Sequence, residues 1–338
     1  MRRREFLGVV GSGVLGMWGG LPVLPGAGDR FVERWSWAMG QPVHLMAFAR
    51  SEAEGLDACA AALAELRRVE ARLTLFDDAS ELCELNRRAG RKAMRVDQDL
   101  RAVLALAQWF HRQTGGAFDV AVEPLMRTWG FHRPRASEPS PAEIAEAREA
   151  VGTAVIELDG DRARLPNAHT QLDFGGIGVG YGIARALAVL RARRIARAFL
   201  DVSGDCAAIG APPGEEGAGW LVEIADPDRP GGVIAATRLC DTALATSANS
   251  VAVVRYGALV CGHVMNPATG WPAHALRQAS VVSRDPVAAD ALSTAMLVSG
   301  RRSPGALRVY EVARGRDPAT DSGGSAPGRS PGPARARA

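Results

Sequence analysis

One stretch near the end of the chain constrains the fold most: Asp285-Pro286-Val287-Ala288-Ala289-Asp290-Ala291-Leu292-Ser293-Thr294-Ala295-Met296-Leu297-Val298-Ser299-Gly300. Asp before Pro is a helix start and Gly is a natural stop, so the segment between them is predicted to be helical. Almost all of it is apolar, yet Asp290, Ser293 and Thr294 stand at i, i+3 and i+4 and share one face. A carboxylate facing a core is costly unless a partner or a cation meets it. Asp and Thr oxygens one turn apart are hard ligands that suit magnesium, with phosphate oxygens and water completing the shell. The same three residues would equally make a solvated stripe on a surface helix.

The remaining composition narrows the chemistry. At 338 residues the chain can bury a sizeable core, as one large or two ordinary domains. The formal charge of +3 is small, with much of the excess at the ends (Arg2, Arg3, Arg4; Arg329, Arg335, Arg337), and no basic stripe is interleaved with aromatics. Nucleic acid is therefore an unexpected partner. Lys92 is the only lysine, which excludes a phosphate-loop or Schiff-base lysine elsewhere. Five cysteines, Cys59, Cys83, Cys206, Cys240 and Cys261, are widely spaced without a Cys-x-x-Cys pair, so neither a disulfide framework nor a zinc site is signalled.

Residues 1–28 read as a twin-arginine export signal: Arg3-Arg4-Glu5-Phe6-Leu7 precedes an apolar, Gly-rich run from Gly8 to Leu24. That run is too short for a convincing membrane span. The expected location is periplasmic or otherwise extracytoplasmic. Residues 315–338, rich in Ser, Gly, Pro, Ala and Arg without periodicity, read as a disordered tail. Residues 30–314 remain as the folded domain.

Within that domain, Arg34 to Arg50 reads as a strand kinked at Gly40-Gln41-Pro42, and Ser51 to Leu73 as an amphipathic helix. Ser80 is placed to cap a short helix through Leu85. A helix from Asp99 to Gln113 ends at Gly115-Gly116 and delivers Ala117-Phe118-Asp119, either a ligand-binding corner or only a helix stop and a capping Asp. His132 to Pro141 reads as an exposed loop, followed by a helix at Ala142 to Val151 and a hairpin from Ala154–Leu158 to Ala163–Leu165. Asp173-Phe174-Gly175-Gly176-Ile177-Gly178-Val179-Gly180 then leads into a helix from Ile183 to Arg194. Such a glycine loop can present N–H groups to phosphate, or serve only close packing. Its spacing is neither Gly-x-Gly-x-x-Gly nor a phosphate loop ending in Gly-Lys-Ser/Thr. Strands are predicted at Ala198–Val202, Trp220–Ile224, Gly232–Leu239, Val251–Tyr256 and Ala279–Val282, with a turn-rich loop from His263 to Pro272.

In order along the chain, Met39-Gly40, Ser80-Glu81-Leu82, Thr114-Gly115-Gly116-Ala117-Phe118-Asp119, Trp129-Gly130-Phe131, Leu172-Asp173 through Gly180-Tyr181, Thr246-Ser247, His263 through Gly270, and Ala289-Asp290-Ala291-Leu292-Ser293-Thr294-Ala295 resemble the ApbE-like FAD:protein FMN transferases. The resemblance implies an α+β fold of mixed and antiparallel sheets with packed helices, T-fold-like in architecture. It also implies magnesium-dependent transfer of FMN from FAD to a Thr or Ser hydroxyl of a partner flavoprotein, with release of AMP. The partner class it implies is a respiratory or electron-transfer flavoprotein. Carried over by position, flavin contacts fall on Met39, Phe76, Ala117, Phe118, Asp119, Asp173, Val179, Val264 and Met265. The metal site falls on Asp290 and Thr294, with Ser293 close by and a backbone carbonyl near Gly176. His263 is the candidate base, the alternative for a lone loop histidine being a satisfied surface residue. The chain departs from the family's pattern at Val179, Ala184, Ala248, Asn249 and Asn266, where charged or acidic residues, or Gly at 248, are usual. Two other activities stay open on these residues: a non-catalytic FAD-binding or flavin-delivery protein, and an FAD pyrophosphatase.

Overall fold

A computed structural model describes residues 29–151, 156–250 and 252–313. The predicted export signal, the predicted tail, Ala154 and Val155 of the predicted hairpin and Val251 of a predicted strand lie outside them. The elements in chain order are β1 (Arg30–Ala38), β2 (Gln41–Ala49), α1 (Glu52–Leu73), α2 (Glu81–Arg87), β3 (Met94–Arg95), α3 (Gln98–Gln113), α4 (Glu123–Thr128), α5 (Pro141–Glu149), β4 (Glu157–Asp159) and β5 (Arg162–Arg164). They continue with α6 (Gly178–Ala192), β6 (Arg197–Val202), β7 (Asp205–Ile209), β8 (Trp220–Ala225), β9 (Val233–Leu239), β10 (Ala243–Ala248), β11 (Val253–Tyr256), β12 (Leu259–Gly262), β13 (Leu276–Ser283), α7 (Pro286–Ser299) and β14 (Arg308–Ala313).

The centre is a seven-stranded sheet in the order β1-β2-β6-β7-β10-β13-β14. Every neighbouring pair in it is antiparallel. Alternation along the strands decides which layer lies on which face. Val43, Leu45, Ala47, Ala198, Leu200, Ala207, Ala243 and Ala245 pack with residues of α1 and α6. The intervening Met46, Phe48, Phe199, Ala208 and Leu244 pack instead under the β8–β9 hairpin, against Trp220, Val222 and Leu239. Fully buried Leu45, Leu66 and Leu200 illustrate the driving force, at about 1.5–3 kcal/mol for each such side chain. The fold is therefore α+β, helices on one face and a hairpin on the other.

Three expectations change. The kinked strand is a hairpin: Met39 and Gly40 both adopt positive φ, 56° and 70°, which is the two-residue turn that reverses β1 into β2. The helix expected at Ile183 starts at Gly178, so the glycine run is largely its first turns. Thr246 and Ser247, expected only to lead into the strand predicted at Val251–Tyr256, instead lie within β10, an interior strand of the sheet between β7 and β13.

The predicted C-terminal helix forms as α7. The Asp285 side chain accepts from Val287 N–H at 3.0 Å, Pro286 occupies the first turn, and Gly300 closes the helix at φ 67°. Helix α6 runs into α7 so closely that a Cβ on Gly180 would lie 2.5 Å from the Pro286 carbonyl oxygen and 2.8 Å from Asp290 Cβ. Glycine is required there by the approach of two backbones.

Candidate functional site

A cleft of about 500 Å³ opens where α6, α7, β7 and β10 meet the loops around Ala117, Asp173 and His263. Of the residues singled out in the sequence, Ala117, Phe118, Asp119, Asp173, Gly176, Val179, His263, Val264, Met265, Asp290 and Thr294 line it. Met39, Phe76 and Ser293 do not. Met39 is turned inward, its sulfur 3.4 Å from where a Gly182 Cβ would stand. Phe76 is exposed and meets the His132 ring edge-on, centroids 6.0 Å apart. Ser293 is buried behind the cleft wall, where its hydroxyl donates to the Asp290 carbonyl at 2.9 Å and exchanges a 2.8 Å hydrogen bond with Ser247.

Asp290 is buried on α7, not on a solvated stripe. Its Oδ2 accepts from Gly180 N–H at 2.9 Å, in the first turn of α6. The α6 start has no side-chain cap of its own, so Asp290 supplies one across the helix pair, facing the positive end of the helix dipole. Even so, burial pushes the Asp290 carboxyl well above its ordinary value and Asp205 adds to this, while Gly180 N–H works against it. Asp205, on β7, accepts from Thr246 N–H at 3.0 Å and is pushed by burial and by Asp201 up to about 7. Two buried carboxyls close enough to raise proton affinity between them favour a cation.

The oxygens beside Asp290 are suitable for one. Thr294 Oγ1 lies 3.1 Å from Ser247 Oγ, which fixes its rotamer. A Cβ on Gly176 would lie 2.8 Å from Thr294 Oγ1, so only glycine allows that loop backbone against α7. No cluster of three or more His, Cys, Asp or Glu poised to share a metal occurs among the described residues. A cation here would therefore rest on the Asp290 carboxylate, the Thr294 hydroxyl and the Gly176 carbonyl, a mixed hard-oxygen set that leaves room for phosphate and water. The donor types fit magnesium.

His263 faces the cleft, with Nδ1 buried and lacking a hydrogen-bond partner among the described residues. Burial holds its imidazole below the ordinary histidine value, against the pull of Asp173. It is thus neutral near pH 7 and able to take a proton. Asp119 caps the turn after it by accepting from Ala121 N–H at 2.7 Å, and His111 stands 3.4 Å from its other oxygen.

Four of the positions at which the resemblance implied other residues make visible contacts. Val179 and Ala248 present apolar or small groups to the cleft. Asn249 accepts from Val264 N–H and donates to the Ala273 carbonyl, and Asn266 accepts from Ala268 N–H at 2.9 Å, so both amides hold the His263 loop.

Two groups were missed by the sequence reading: Asp205, which lines the cleft beside Asp290, and His132. His132, placed there in an exposed loop, has a side chain only 15% exposed and lies between Glu123 and Asp173. Its carboxylate neighbours are distant in sequence, so no local motif marks it.

A family model described as the ApbE family matches residues 39–313, a span that holds α7, the glycine turn and the His263 loop. The chain belongs to the ApbE family. Among its relatives is the FAD:protein FMN transferase of Treponema pallidum, 29% identical over 259 residues, covering 72% of this chain and 71% of the relative. The FAD:protein FMN transferase of Haemophilus influenzae is also 29% identical, with 73% of each chain covered. Among solved structures, an ApbE protein from Thermotoga maritima superposes with a TM-score of 0.76 at 25% identity, over 84% of this chain and 94% of that one. The apo flavinyl transferase ApbE of Pseudomonas stutzeri shares the fold, with a TM-score of 0.69 at 24% identity over 80% of this chain and 85% of that one.

Proposed function

We propose that this chain is an FAD:protein FMN transferase that moves FMN from FAD to a Thr or Ser hydroxyl of a partner flavoprotein, releasing AMP. The observation that carries the reading is the convergence of Asp290, Thr294, Gly176 and His263 on one cleft in a chain of the ApbE family. The acceptor oxygen attacks the FMN phosphorus, a new phosphoester bond forms, and the bond from that phosphorus to the bridging oxygen breaks, with AMP as leaving group. His263 takes the hydroxyl proton. Magnesium bound by Asp290, Thr294 and the Gly176 carbonyl would neutralise charge on the diphosphate and steady the leaving AMP. Phe118, Asp119, Asp173, Val264 and Met265 wall the space assigned to the flavin. With the export signal, the acceptor is an electron-transfer protein outside the cytoplasmic membrane.

The test is AMP release from FAD in the presence of magnesium. Asp290→Asn keeps an acceptor for Gly180 N–H but removes the charge, and should slow AMP release by at least about a hundredfold. An Asp290→Asn enzyme with unchanged magnesium dependence overturns the metal assignment.

A further inference from the structure

Glu123, His132 and Asp173 come from three places in the chain and meet in a line beside the cleft. His132 Nδ1 lies 3.6 Å from Glu123 Oε1 and its Nε2 lies 3.5 Å from Asp173 Oδ2. The Glu123 side chain is 4% exposed, its Oε1 also receiving Arg127 at 2.7 Å and its Oε2 buried without a partner among the described residues. Asp173 is the only one of the three that lines the cleft. Its Oδ1 accepts from Gly175 N–H at 2.7 Å and its backbone N–H donates to Val120 O at 2.8 Å, so it anchors the turn that carries Gly176 toward Thr294.

We propose that His132 is a positioning residue for this site: as imidazolium, clamped by Glu123, it holds Asp173 and through it the Gly175-Gly176 turn, and so makes FAD binding weaken as pH rises. The inference rests on the transferase reading and adds a control on it. His132 acts through Asp173 and does not itself reach the cleft. The charges facing the ring are Glu123 and Arg127 from α4, Asp173 from the glycine turn and His263 from its loop. Burial lowers the proton affinity of His132, but the facing carboxylates of Glu123 and Asp173 outweigh it, so the imidazolium persists above the ordinary histidine value. Deprotonation removes the only cationic partner of Asp173 among the described residues. That leaves one more uncompensated carboxylate beside an anionic diphosphate, in a cleft already lined by Asp119, Asp205, Asp226 and Asp290. The hold is complete at low pH and lost as pH passes upward through the His132 value.

The experiment measures FAD affinity by flavin fluorescence, with magnesium present, from below to above neutrality, for wild type, His132→Gln and Glu123→Gln. Wild-type affinity should fall with rising pH. His132→Gln should bind about ten- to a hundredfold more weakly at low pH and show a flat profile. Glu123→Gln should keep the profile but move its midpoint downward. Thermal unfolding of each variant separates positioning from loss of fold, and the NMR titration of the His132 ring in ligand-free protein should show a midpoint above that of a free histidine. Wild-type binding that is indifferent to pH and to His132→Gln, or a ring titrating below the free value, overturns the inference and leaves the transferase reading standing. No FAD binding by wild type at any pH overturns both.

Discussion

Asp290 serves two purposes with one carboxylate. One oxygen caps α6 through Gly180 N–H, while the residue still faces the cleft beside Thr294. Removing it therefore has a structural consequence as well as a chemical one, which is why Asn is the informative replacement. Nearby Asp201 offers a cleaner view of the electrostatics, because it does not line the cleft. Burial pushes its carboxyl up to about 6, although Gly204 N–H donates to it and works the other way. A carboxyl whose folded value exceeds its unfolded one binds more protons in the native state, so its contribution to stability is present at low pH and lost as pH rises through about 6. Asp201→Asn keeps the Gly204 hydrogen bond without a charge. Its stability relative to wild type, measured by urea unfolding without divalent cations, should climb between pH about 4 and about 7 and then level off. A pH-independent difference would contradict the burial argument. At this scale the meeting of Asp290, Thr294 and His263 at one cleft was legible in the sequence because each stands in a local motif. His132 was not, because its partners Glu123 and Asp173 become its neighbours only in the fold.

Among elements, the pairing of α6 with α7 decides the site, since it brings the glycine turn to the Asp290–Thr294 face of α7. Gly180→Ala tests this contact. Its methyl would collide with the Pro286 carbonyl, which is backbone and cannot rotate away. The expected cost is about 1–3 kcal/mol of stability, read by denaturant unfolding, with weakened magnesium-dependent FAD binding. Gly217→Ala, where an added carbon meets nothing within 4 Å, is the control and should be silent. Equal behaviour of the two variants would show that the helix contact is looser than described. Helix α7 could be read from sequence because its ends carry strong signals, Asp285-Pro286 and Gly300. The start of α6 could not, since a glycine run reads as a loop until a partner helix makes its small size useful. The β1–β2 turn was hidden for a related reason: Met39 takes a positive φ that sequence alone does not assign to methionine.

For the whole molecule, an antiparallel sheet with helices on one face and the β8–β9 hairpin on the other leaves one end where loops from distant parts of the chain converge. The order of motifs revealed that convergence, while the all-antiparallel sheet order depends on long-range pairings such as β2 with β6 and β10 with β13 that no local pattern encodes. The cleft is lined by Asp119, Asp173, Asp205, Asp226 and Asp290, so on the proposed function an anionic diphosphate there calls for a cation and for the His132 imidazolium. The central claim is that FMN leaves this cleft attached to a protein. Incubating the protein with FAD, magnesium and a candidate acceptor flavoprotein, then recording the acceptor's intact mass alongside AMP, tests it directly. The account predicts an acceptor heavier by one FMN less water, with AMP formed in equal amount and both lost in Asp290→Asn. FAD that stays bound and intact, or AMP appearing with free FMN and an unchanged acceptor, would contradict it.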